Sequence, residues 1–178
     1  MRAVLDACVL YPTVLRQILL GVAGAGMITP LWSARILKEW YLTAERLNPG
    51  DGVFARGEMA RMAARWPRAE IAASPAREAG LWLPDPGDIH VLATAIEGRA
   101  DTIITLNLKD FPARELSAHG LAARHPDAVL HDLWLSDPDP VAAAARQVHA
   151  EAEPLTDLAL RPLLKRARLP RLGKALNR

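Results

Sequence analysis

Only one cysteine, Cys8, stands among the 178 residues, so an internal disulfide is excluded, and no Cys/His pairing has the spacing of a structural zinc site. His90, His119, His125, His131 and His149 share no spacing that builds a triad or a metal cage, and each reads as a surface or a satisfied core residue. No run of eighteen apolar residues occurs, and Met1-Arg2-Ala3-Val4-Leu5-Asp6 reaches a carboxylate too early for a secretory signal. The expectation is a soluble, cytoplasmic protein without membrane contact. Neither Gly-x-Gly-x-x-Gly nor a Walker loop is present, and residues 21–26 are too short and apolar to replace them, which argues against nucleotide-dependent chemistry. Internal repeats and low-complexity tracts are also missing. Acidic residues run out at Asp157: the chain up to that point carries a net charge of −5, and the stretch beyond it carries +7.

With 51% apolar residues the chain can bury one sizeable core. The reading is a domain over residues 1–136 and a helical appendage over 141–178, joined by a linker at Asp137-Pro138-Asp139-Pro140. Ala3-Val4-Leu5 reads as a strand, followed by a loop and a helix carrying Val14, Leu15, Ile18, Leu19 and Val22. A short strand at 27–29 precedes a helix capped by Ser33 and ended by Asn48-Pro49-Gly50, and a further helix spans 53–66. Residues 70–73 read as a short strand, 88–98 as a helix opened by Pro84-Asp85-Pro86-Gly87, and 101–105 as a buried strand. Residues 121–123 read as an edge strand, followed by helices over 126–134 and 141–152 and an amphipathic segment over 155–164. Alternating strands and helices predict a parallel sheet with ligands at the carboxyl ends of its strands.

Asp6 ends the first strand, at the mouth of such a sheet; a metal ligand and a solvated loop acid or cap both fit there. Asp88 shares a face with Val91, Leu92 and Ala95, so its carboxylate points toward the core, where a cation would compensate its desolvation. A local role, helping to start a helix capped by Asp85, competes with that reading. Glu39 borders the apolar stripe of Ile36, Trp40 and Leu47, and taken alone it reads as a surface residue. Asn107 or Asp110, just after the 101–105 strand, would complete a cluster, or would form a turn with local hydrogen bonds. Thr105 would donate to a carboxylate or place a water, or simply pack. Oxygen ligands of this kind, gathered from separate elements, suit Mg²⁺ or Mn²⁺. Lys165, Arg166, Arg168, Arg171 and Lys174, with Arg161 and Arg178, suit RNA phosphates, an acidic protein partner or a merely solubilising end.

Val4-Leu5-Asp6-Ala7-Cys8-Val9-Leu10, the stretch from Ser33 to Glu39-Trp40, Leu83 to Ala95, and Thr105-Leu106-Asn107-Leu108-Lys109-Asp110-Phe111-Pro112 resemble, in order and spacing, the successive motifs of PIN domains. The resemblance covers roughly residues 3–135 and is nearest to VapC-type toxins, the ribonuclease halves of type II toxin–antitoxin modules. The C-terminal segment resembles the helical extension of one branch of them.

The resemblance implies a three-layer α/β/α fold with a central parallel sheet plus a C-terminal helical appendage. It further implies a Mg²⁺- or Mn²⁺-dependent endoribonuclease acting through Asp6, Glu39, Asp88 and Thr105, with metal on Asp6, Glu39 and Asp88 and with Asn107 or Asp110 completing the set. Asn107 stands where many members have the fourth acid, and Cys8 where they often have a small polar residue. The implied partners are a transfer, ribosomal or messenger RNA, a cognate antitoxin and a second copy in a homodimer. Two other readings stay open: a degenerate PIN-like module that binds RNA or protein, and a housekeeping RNA-processing nuclease. A phosphatase with an aspartyl nucleophile would want a second Asp where Cys8 stands.

Overall fold

Four short strands, β1 (Arg2–Leu5), β2 (Thr29–Leu31), β3 (Thr102–Ile104) and β4 (Ala122–Arg124), form an all-parallel sheet in the order β2-β1-β3-β4. They come from a computed structural model of the chain, which describes residues 1–176; Arg178 of the basic end lies outside the described residues. The central strands are β1 and β3, and Val4, Leu5, Ile103 and Ile104 are buried, which is why both read as apolar runs rather than as alternating patterns. Their register pairs Val4 with Ile103 and Leu5 with Ile104. The next residues on the two strands, Asp6 and Thr105, therefore leave the sheet side by side at its carboxyl edge. The α/β class with a central parallel sheet and a helical C-terminal region is the one expected.

The chain packs as two compact units, one of Met1–Tyr11 and Thr29–Arg124, the other of Pro12–Ile28 and the residues from His125 onward. In the first, Asp6 leads into a four-residue helix, α1 (Ala7–Leu10). Ser33 caps α3 (Ala34–Leu47) by accepting from the Ile36 amide at 3.3 Å, and Ile36, Trp40 and Ala44 form its buried stripe. Helix α4 (Asp51–Arg65) follows, its entry stitched by the Glu45 carboxylate, which accepts from the Gly50 and Gly52 amides. The strand expected at 70–73 is only a single bridge between Trp32 and Glu70, and a short helix, α5 (Pro75–Glu78), comes after it.

A 3-10 turn (Pro86–Asp88) then opens α6 (Ile89–Glu97), which packs on β1 and β3. The carboxyl end of α6 is tied to the start of β1: the Arg2 guanidinium donates to the Gly98 carbonyl at 2.7 Å and to that of Arg99 at 3.2 Å, a cation at the negative end of a helix. Another short helix, α7 (Ala113–Ser117), precedes β4.

In the second unit, α2 (Thr13–Gly24) closes with Gly26 at φ +82 and the Met27 amide donating to Val22, a turn that consumes the residues expected to begin β2 and moves that strand to 29–31. Gly21 on α2 lies so close to α9 (Pro138–Ala152) that a Cβ there would stand 2.8 Å from the Ala144 Cβ. The linker expected at 137–140 is instead the first turn of α9, with Asp137 as cap and Pro138 at the position whose missing N–H costs a helix nothing. Helix α8 (Pro126–Ser136) precedes it, and α10 (Leu160–Arg166) and α11 (Pro170–Ala175) follow. The buried Asp127 caps α11 from α8, accepting from the Arg171 amide at 3.0 Å and the Leu172 amide at 3.1 Å. Among the described residues no helix is long and apolar enough to cross a membrane.

At the end of α6, a Cβ on Gly98 would lie 2.9 Å from both the Thr94 carbonyl and the Leu31 Cδ1. Gly98→Ala is expected to lower stability by about 1–3 kcal/mol, read as a reduced urea midpoint; an unchanged midpoint would show that α6 has room to move away from β2.

Candidate active site

At the carboxyl edge of the sheet, Asp6 is 5% exposed and Thr105 fully buried. Thr105 Oγ1 donates to Asp6 Oδ2 at 2.6 Å and accepts from the Asn107 amide at 3.0 Å. The Cys8 thiol donates to the same Asp6 oxygen at 3.1 Å, and its sulfur accepts from the Leu106 amide at 3.2 Å. Burial, and next the charge of Asp6, push the Cys8 pKa up to about 12. The thiol therefore stays protonated and serves as a donor. One oxygen of Asp6 is thus held by two side chains from the two central strand ends, and among the described residues the other, Oδ1, accepts no hydrogen bond.

Asp88 is the third residue of the 3-10 turn capped by Asp85, the local position expected for it, and it stands at the N-cap position of α6 without a side-chain cap hydrogen bond. The Asp85 carboxylate accepts from the Gly87 amide at 2.8 Å and tightens the turn before the α-helix begins. Burial, followed by the charges of Asp6, Asp85 and Asp110, raises the pKa of Asp88 to about 6, with His90 acting in the opposite direction. Acids from three separate places in the sequence therefore act on Asp88 at this edge.

Glu39 projects from α3, with a side chain 38% exposed, and its Oε1 lies 2.8 Å from His90 Nε2 on α6 and 3.6 Å from Arg35 Nε. The His90 contact has the distance of an ion pair but not the alignment of a hydrogen bond, and among the described residues neither buried ring nitrogen of His90 has a hydrogen-bond partner. The structure thus brings Asp6, Asp88, Asp110 and Thr105 together and joins Glu39 to the same helix through His90. Asn107 is exposed, and its backbone amide, not its side chain, serves the cluster. Lys165, Arg166, Arg168, Arg171 and Lys174 lie exposed on and between α10 and α11, in the other compact unit.

Two contributors escaped sequence reasoning. Cys8 read as a departure from a pattern, yet it is a donor to the buried acid. His90 read as a surface or a satisfied core residue, although its position two residues beyond Asp88, on the buried face shared with Thr94, is a signal that a polar ring is held inside.

Among the described residues no three His, Cys, Asp or Glu side chains form a ready-made metal cage. The donor set nevertheless fits one kind of cation. Its acids offer hard oxygen, burial and the neighbouring carboxylates together raise Asp88, and a small divalent ion such as Mg²⁺ needs only one or two carboxylates and fills its remaining positions with water.

A raised carboxyl pKa means that the folded state keeps its proton longer than the unfolded one, so the stability supplied by protonated Asp88 is full below pH 3.8 and is lost as the pH rises through about 6. Asp88→Asn removes that loss. Without divalent ions the variant is expected to match the native chain near pH 4 and to exceed it near pH 7 by about 1 kcal/mol, the full shift being reduced by solvent screening. Urea midpoints at the two pH values check this; an equal difference at both would remove the repulsion from the account.

A profile of the PIN domain matches residues 2–109, which contain the whole candidate site except Asp110. A relative from Mycobacterium tuberculosis, a candidate ribonuclease named VapC50, is 49% identical over 45 residues, 25% of this chain and 27% of that protein. The matched stretch thus spans about a quarter of that relative's length. No solved structure matches the chain at the same stringency. With its parallel sheet and the acids gathered at the carboxyl ends of β1 and β3, and with the profile covering well over half of its length, the chain belongs to the PIN-domain family.

Proposed function

We propose that the chain is a Mg²⁺- or Mn²⁺-dependent endoribonuclease, the toxin of a VapBC-type toxin–antitoxin pair, working in the cytoplasm. The observation that carries this is the partial burial of Asp88 at the sheet edge within the field of Asp6, Asp85 and Asp110, which together lift its pKa to about 6. Natural sequences rarely keep such a cluster unless a cation or a developing charge uses it.

Asp6 and Asp88 would hold the ion, with Glu39 and Asp110 reaching it directly or through water. When bound, the ion supplies charge neutralisation for a phosphodiester and a more acidic water. The protein's own part is orientation. Thr105 and Cys8 fix one oxygen of Asp6, and the other would be the one that meets the ion. His90 steadies Glu39 across the gap between α6 and α3. Residues 1–136 form the nuclease part in this reading, and 141–178 the appended helices whose basic side chains meet RNA. The cognate antitoxin and a second copy of the chain are the proposed protein partners. The exposed side chain of Asn107 favours, as a second reading, a module that binds RNA or protein without cutting it.

Purified protein is expected to cut total bacterial RNA into discrete fragments with Mg²⁺ or Mn²⁺ and to stop in EDTA. Asp6→Asn is expected to slow cleavage by on the order of 100-fold or more, and Thr105→Val, which removes the donor to Asp6, by roughly 10- to 100-fold. Folded native protein that leaves RNA intact with either metal would establish the binding module instead. Growth arrest on induced expression, relieved by the product of a neighbouring small reading frame, would separate a toxin from a housekeeping nuclease.

A further inference from the structure

Helices α8 and α11 border a groove of about 330 Å³, lined by His131, Trp134 and Leu135 from the first and Arg171, Lys174 and Ala175 from the second. That is the lower end of the ~300–1,000 Å³ usual for ligand pockets. The groove lies wholly within the second compact unit, away from the residues of the candidate active site in the sequence.

Its two walls differ in chemistry. His131 and Trp134, three residues apart and so on one face of α8, have ring centroids 6.1 Å apart and planes tilted by 33°. Leu135 beside them is 63% exposed. This is aromatic and aliphatic surface that the core has not consumed. Opposite stand Arg171 and Lys174, again three residues apart, both exposed. Among the described residues neither side chain is in an ion pair. The buried acid at this junction, Asp127, spends both carboxylate oxygens on the amides that begin α11.

We infer that this groove is a subsite for one nucleotide of single-stranded RNA, its base laid against Trp134 and His131 and its phosphates on Arg171 and Lys174. A π-face paired with cations at one slot is the chemistry that single-strand binding requires, because every base stacks and every linkage is charged. An acidic peptide would satisfy the two cations and leave the ring wall wet. The inference also divides the basic end: Arg171 and Lys174 line the groove, whereas Lys165, Arg166 and Arg168 do not. It rests on the ribonuclease reading only for the choice of ligand.

The test is fluorescence anisotropy of a labelled hexauridylate with the full chain in EDTA, where cleavage does not interfere. Trp134→Leu is expected to weaken binding roughly 5- to 150-fold, the range of one lost stacking contact, while Trp134→Phe keeps most of it. Arg171→Gln with Lys174→Gln is expected to weaken binding and to flatten the salt dependence by about 1.4 in the log–log slope, the value for two phosphate contacts on a single strand. No binding by native protein, equal binding by Trp134→Leu, or an unchanged salt slope in the double variant would overturn the inference and leave the groove to a protein partner. The two readings fail separately: Trp134-dependent binding without metal-dependent cleavage sinks only the nuclease, and cleavage with Trp134-independent binding sinks only the subsite.

Discussion

Asp6 is a carboxylate almost without solvent, and everything around it answers the cost of putting it there. The register of β1 against β3 sets it beside Thr105, whose hydroxyl donates at 2.6 Å, and the next turn brings the Cys8 thiol to the same oxygen. Two neutral donors hold one oxygen of Asp6, while Asp88, within its field, carries the raised pKa of a carboxyl that burial and neighbouring acids disfavour as an anion. A small cation is the cheapest remaining compensation, and one or two carboxylates with water are all that such an ion asks of a protein. The lack of a closed cage among the described residues thus fits the chemistry of the ion.

The same logic extends outward through contacts between distant parts of the chain. His90 reaches from α6 to Glu39 on α3, and Arg2 ties the other end of α6 to the first strand. A change at either end of α6 would therefore be felt at Asp88, which opens that helix. The second unit uses a comparable economy, with one buried acid, Asp127, ordering the start of α11 and leaving the basic side chains of that helix to solvent.

Much of this was legible in the sequence where the signal is local and strong. The apolar runs ending in Asp6 and Thr105 marked the two central strands, Ser33 marked the start of α3, and the Asp85-Pro86 pair marked the opening of α6. Short elements were not legible, because α1, α5 and α7 are too brief for a period of 3.6 to show. Residues 27–28 were read as strand because they are apolar, whereas their position after Gly26 uses them to close a helix. At the site, the role of His90 depends on a partner fifty-one positions earlier, and that of Cys8 on a strand register, and no single-window pattern contains either. The packing of α2 on α9 through Gly21 and Ala144 is equally remote in sequence.

The central claim is that the crowded acids of the sheet edge exist to hold a divalent ion. Because free Mn²⁺ gives a strong electron paramagnetic resonance signal that fades on binding, titrating the native protein with Mn²⁺ tests that claim most directly. The account predicts saturable loss of the free-ion signal, reversed by excess Mg²⁺ and abolished in Asp6→Asn. A folded native chain that leaves the Mn²⁺ signal untouched would contradict it.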